Sequence, residues 1–101
     1  MILRRRFADV IARQLEGFER EHADLIAECE AAEHAYDRAE RDEAEERYGD
    51  YVDAVETGTE LLADLRDNYA QTLDDADAYL RDFNRAVSKR LPEHALEIEN
   101  R

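Results

Sequence analysis

From Ile11 to Ala39 the apolar and small residues advance by alternating steps of four and three, through Leu15, Phe18, His22, Leu25, Cys29, Ala32 and Tyr36. A seam of that period runs down one face of an α-helix and does not match the two-residue period of a strand. Helical spacing resumes at Val55 and continues through Leu62, Leu65, Tyr69, Leu73, Ala76, Leu80, Phe83 and Val87. The chain is therefore expected to be all-α, with a first helix over about residues 3–47 and a second over about 51–91. Pro92 has no amide proton and disfavours helical geometry in the residue before it, so the second helix should stop there and leave 92–101 as a short tail.

The stretch ERYGDYVDAVETGTELL holds two of the three glycines, Gly49 and Gly58, and one of them is expected to mark the turn. Facing Ile11 with Val87, Leu15 with Phe83, Phe18 with Leu80 and Cys29 with Tyr69 puts the midpoint at Gly49, so the tip is predicted at residues 48–50. Thr57 and Glu60 spell a T-x-x-E capping box that allows a break at 57–59. In the favoured register Gly58 lies across from Ala39, as a small residue where two backbones approach closely. Leu, Ile, Val and Phe together supply only 21 of the 101 residues, too few for a deep core in one hairpin. The expected architecture is a single domain spanning 1–101: a long, coiled-coil-like antiparallel two-helix hairpin that dimerises into a four-helix bundle.

Few residues offer chemistry. Glu19 and His22 form an E-x-x-H pair that resembles one half-site of the ferritin-like di-metal proteins, but the second seam supplies Leu, Tyr, Ala and Phe where further inward ligands are needed. His22 is expected to be a half-buried histidine opposite Ala76, held by Glu19. His34, with Glu30 and Glu33, reads as a solvated helix face. The chain has one serine, Ser88, and no glycine-rich phosphate loop, while Cys29 lies a full heptad from His22 and reads as a small buried hydrophobe. Arg66 is the one cation near the second seam that could turn inward toward a dicarboxylate, as small helical enzymes such as chorismate mutases require. No catalytic residue, metal ligand or cofactor site is assigned, and the chain is not expected to be an enzyme.

Charge is organised along the chain. The formal net charge is -13, which disfavours nucleic-acid phosphates as partners. Residues 40–60 carry nine acids against Arg41 and Arg47, whereas 1–13 and 81–91 are basic. Folded as a hairpin, this gives an acidic tip and a cationic open end, with Arg4, Arg5, Arg6, Arg81, Arg85, Lys89 and Arg90 as the candidate interaction patch. The N-terminus MILRRRFADV has no apolar run of signal length, and no stretch of about 18 apolar residues occurs, so no membrane is expected. A single cysteine fits a reducing cytoplasm. The expected function is a non-enzymatic protein–protein interaction or assembly module, self-associating as a head-to-tail homodimer. The alternatives are an acidic binder of a basic protein partner, such as a nucleic-acid mimic, and a ferritin-like metal binder.

Overall fold

The computed structural model describes residues 6–101, so Arg4, Arg5 and the first residues of the expected first helix lie outside it. The described chain is all-helical: α1 (Ala8–Glu21), α2 (Ala23–Asp37), α3 (Ala44–Ala70), α4 (Ala76–Arg90), a 3-10 turn over Pro92–His94, and α5 (Ala95–Glu99). Two long helices are thus replaced by three folded-back arms and a C-terminal clasp. At His22 the first arm only bends, because His22 N–H still reaches Phe18 C=O at 2.9 Å and Ile26 N–H reaches His22 C=O at 3.0 Å.

The chain reverses over residues 38–43, and the predicted tip at 48–50 lies well inside α3. The reason is conformational. No described residue has a positive φ, so the reversal uses ordinary backbone and requires no glycine. Tyr36 meets Tyr48 with ring centroids 5.3 Å apart, and Cys29 clusters with Val55 and Tyr51. These pairs move the tip about one heptad toward the N-terminus, a slide that leaves each helix's own apolar stripe unchanged. The capping box is not used either. Thr57 and Thr59 donate their hydroxyls to the carbonyls of Asp53 and Val55 at 3.0 and 2.8 Å, the back-bonds of threonines inside a continuous helix.

A second reversal at residues 71–75 separates α3 from α4 where one helix was expected. Thr72 closes it, its N–H and hydroxyl both reaching Tyr69 C=O at 2.9 and 2.7 Å. Asp75 then pairs with Arg6 at 3.1 Å, and Glu19 pairs with Arg90 at 2.9 Å. The starts of α1 and α4 therefore lie together, as do their ends, so these helices are parallel neighbours and not the antiparallel pair expected from the seam. Between them and α3, Phe7, Ile11, Leu15, Phe18, Leu62, Tyr79, Phe83, Val87 and Ile98 form one core, within a single chain. Each large side chain buried there contributes about 1.5–3 kcal/mol. Tyr79 is fully buried and donates its hydroxyl to Gln14 Oε1 at 2.8 Å; burial, opposed by that bond, pushes its pKa up to about 12.

At the end of α4, Pro92 stops the helix and the following turn drives His94 into α3. The His94 ring is seated against Gly58: a Cβ there would lie 2.6 Å from His94 Cε1. Because the Thr59 hydroxyl already donates to Val55, it accepts from His94 Nδ1–H at 2.9 Å. Gly58 is indeed a close-approach residue, but its neighbour is His94 and not Ala39. Burial holds the His94 pKa below the ordinary histidine value of about 6.5, against the opposing effect of Glu93.

Two predictions follow from this seat. In Gly58→Ala an overpacking cost of about 1–3 kcal/mol should outweigh the helix-propensity gain of about 1 kcal/mol, lowering the urea midpoint. Gly49→Ala, with nothing within 4 Å of its added Cβ, should raise it. The unfolded chain binds a proton at His94 more readily than the folded one, so this histidine's contribution to stability is present above about pH 6.5 and declines as pH falls below it. Wild type minus His94→Gln, compared by urea titration between pH 7.5 and 5, should show that loss; parallel curves would refute it.

Candidate interaction surface

The core occupies one end of a molecule measuring 52 × 24 × 23 Å. α3 has 27 residues and α4 only 15, so past Pro92 nothing in the described chain covers α2 and the first half of α3. This two-helix arm buries only Cys29, Ala54 and Val55 in its own small cluster. Between residues 28 and 56 it carries twelve carboxylates against Arg38, Arg41 and Arg47. At its end Tyr36 and Tyr48 are 39 and 51 % exposed, and with Leu96 they are the exposed large hydrophobic residues among those described. Cys29, Glu30, Glu33 and Tyr51 line a notch with Pro92 and Glu93, where α4 stops. The arm thus presents tyrosines and carboxylates along the line that a longer third helix would have filled.

The cationic patch is redistributed by the parallel course of α4. Arg6 is held by Asp75 and lies over the Phe7 ring at 5.0 Å, and Arg90 is held by Glu19. Among the described residues the expected cationic open end is consequently not assembled, because Arg6 and Arg90 sit at opposite ends of the α1/α4 pair. Arg81, Arg85 and Lys89 remain exposed at i, i+4 spacing along α4. They follow Tyr79, Phe83 and Val87 by two residues, about 200° around the helix, so the stripe faces away from the core. Arg85, Lys89 and Arg90 also rim a groove of about 390 Å³ between α1 and α4, floored by Ile11, Leu15 and Ala86.

The remaining candidates have structural duties. Glu19 is committed to Arg90, so it does not hold His22, whose ring packs on Phe18 with centroids 4.9 Å apart and lines a cleft with Leu61, not Ala76. Arg66 is 3 % exposed and donates through Nη1 to Asn84 Oδ1 at 2.9 Å and Ile98 C=O at 3.0 Å, and through Nε to Asp67 at 2.8 Å. It ties α5 to α3 and α4, with Nε and Nη1 committed to protein acceptors. The Cys29 thiol is raised above its ordinary pKa by burial first and then by Glu93, Glu28 and Glu30, opposite to what a nucleophilic thiol needs. Among the described residues every buried side-chain nitrogen or oxygen has a partner, and no group of three His, Cys, Asp or Glu side chains could hold a metal ion. No described helix is long and apolar enough to cross a membrane. Comparison with protein families, with curated proteins and with solved structures finds no match to this chain.

Arg66 can be tested directly. Arg66→Met should cost about 2–4 kcal/mol, because it strands the Ile98 carbonyl and the Asn84 amide oxygen. Arg66→Lys should recover little of this, since one ammonium cannot reach three acceptors in the guanidinium plane. Chemical denaturation checks both.

Proposed function

We propose that the chain is a non-enzymatic protein–protein interaction and assembly module, in which a small helical head holds out an acidic, tyrosine-faced hairpin arm to a cationic helical surface. The observation that carries this reading is the unequal reach of α3 and α4, which leaves Tyr36 and Tyr48 exposed beside the half-buried Tyr51. Tyrosine suits such a surface: its ring covers apolar area, accepts a guanidinium over its face and keeps a polar edge in water. Carboxylates around it steer a basic partner into place and repel acidic ones.

Self-association is part of the proposal, since the same chain carries the α4 stripe. Its energetic basis differs from a shared bundle core, because the leucines and phenylalanines of the core are already buried within one chain. What the arm retains for a partner is tyrosine area and charge. A foreign basic protein is the alternative occupant, reached by the same chemistry.

Titration with a synthetic cationic helical peptide bearing arginines at i, i+4 spacing, followed by tyrosine fluorescence, tests the reading. Binding should weaken about tenfold or more in Tyr36→Ala/Tyr48→Ala. It should also fall steeply as salt rises from about 0.05 to 0.5 M. Binding to an arm with all three tyrosines replaced, at unchanged affinity, would refute the role of this face.

A further inference from the structure

We infer that the occupant of the arm is α4 of a second copy, docked reciprocally about a two-fold axis near Pro92. This rests on the interaction reading above and names its partner. Three observations carry it. The stripe Arg81, Arg85 and Lys89 faces away from its own core and is exposed. The bare face of the arm lies in continuation of α4, starting at the notch where Pro92 and Glu93 meet Cys29 and Tyr51. The lengths also agree: α4, at 15 residues, is about 22 Å long, and the arm from Val55 to the 38–43 turn extends about 20 Å.

Direction fixes the pairing. α4 runs toward its own arm, because it is parallel to α1 and α1 leads into α2. A two-fold perpendicular to the long axis reverses the second copy, so its α4 runs from the tip of the first arm toward the base. Lys89 then meets Glu30 and Glu33 at the notch, while Arg81 and Arg85 lie over the Tyr36 and Tyr48 rings. Each copy gives its arm and receives the other's, so both contacts form at once and the assembly closes at two. From Arg81 to Lys89 the charges oppose: three cations on the donor helix, against Asp82 beside Arg85 at 4.0 Å, face an arm where carboxylates outnumber cations fourfold.

The chain contains a built-in reporter, because Lys89 is its only lysine. A carbodiimide joins carboxylates to amines at zero length, so mapping the cross-links of a mixture of isotopically heavy and light wild-type protein reads which carboxylates of another copy Lys89 touches. The expected result at low salt is a sedimenting dimer with heavy–light links from Lys89 to Glu30 or Glu33. In Arg81→Glu/Arg85→Glu the dimer should weaken at least about tenfold, with helix content by circular dichroism unchanged. A dimer whose heavy–light links join Lys89 only to carboxylates of α1 or α4 would overturn this docking while leaving the interaction reading intact. So would a monomer at about 1 mM protein that still binds the cationic peptide through its arm. A monomer that binds neither a second copy nor the peptide would overturn both.

Discussion

His94, held against Gly58 and bonded to Thr59, determines how far the third layer of this molecule reaches. Pro92 ends α4, but a proline alone does not say where the chain goes next. The imidazole does, by filling the space at Gly58, where the absence of a side chain admits a ring against the backbone of α3. Once it is seated, α5 must turn back over α4, which brings Ile98 into the core and its carbonyl to Arg66. Three helices are thereby closed at one end by a buried histidine and a buried arginine, each hydrogen-bonded to its neighbours. α3 continues past this point with only α2 beside it.

The two halves of the molecule are consequently stabilised by different physics. The head buries aromatic and aliphatic area, with Phe7, Tyr69, Tyr79 and Phe83 meeting at centroid distances of 5.0–5.9 Å. The arm has little to bury. Its interface is largely alanine, which has the best helix propensity and lets two backbones approach, but contributes small area. Around that thin seam the carboxylates repel one another, an effect that salt at physiological strength screens beyond about 8 Å. Among cations within the arm, Arg47 lies 3.8 Å from Asp50, and so exposed a pair contributes at most about 1 kcal/mol. A cationic helix laid along the arm would offset the repulsion and cover the tyrosines together.

Helical class and the stop at Pro92 were legible because both depend on local chemistry, namely the period of the seam and the missing amide proton. The register was not, since heptads repeat: a tip in 38–43 and a tip at Gly49 put apolar residues on the same faces. Glycine was a misleading guide because Arg38 to Glu43 reverse the chain with ordinary backbone angles. The break at 71–75 had a signal in Asp74, Asp75 and Asp77, the acidic start of a helix, though none of them caps it through a side chain. The parallel course of α4 follows from that reversal and splits the basic residues: Arg6 and Arg90 go to ion pairs between elements, while Arg81, Arg85 and Lys89 stay together on α4, Arg85 within 4.0 Å of Asp82 on the same helix, because i, i+4 spacing survives any register. Nothing local announces the His94 seat, which joins residues 35 apart in sequence.

The difference in length between α3 and α4 also decides which kind of assembly the charges favour. A contact between unlike surfaces, arm on one side and α4 stripe on the other, builds an open chain unless its rotation closes. Here the arm begins where α4 ends, so in the proposed assembly a reversed second copy would lay its own α4 along the arm and at the same time offer its arm to the first. Had α4 run the full length of α3, the tyrosines would be covered and no arm would remain. Had it been much shorter, the stripe would span too little of a partner's arm for both contacts to form in register. The proline and histidine that end the third helix midway therefore set the proportions on which the proposed reciprocal docking would depend, and in that assembly the acidic arm, costly to a solitary chain, would be the surface that selects orientation.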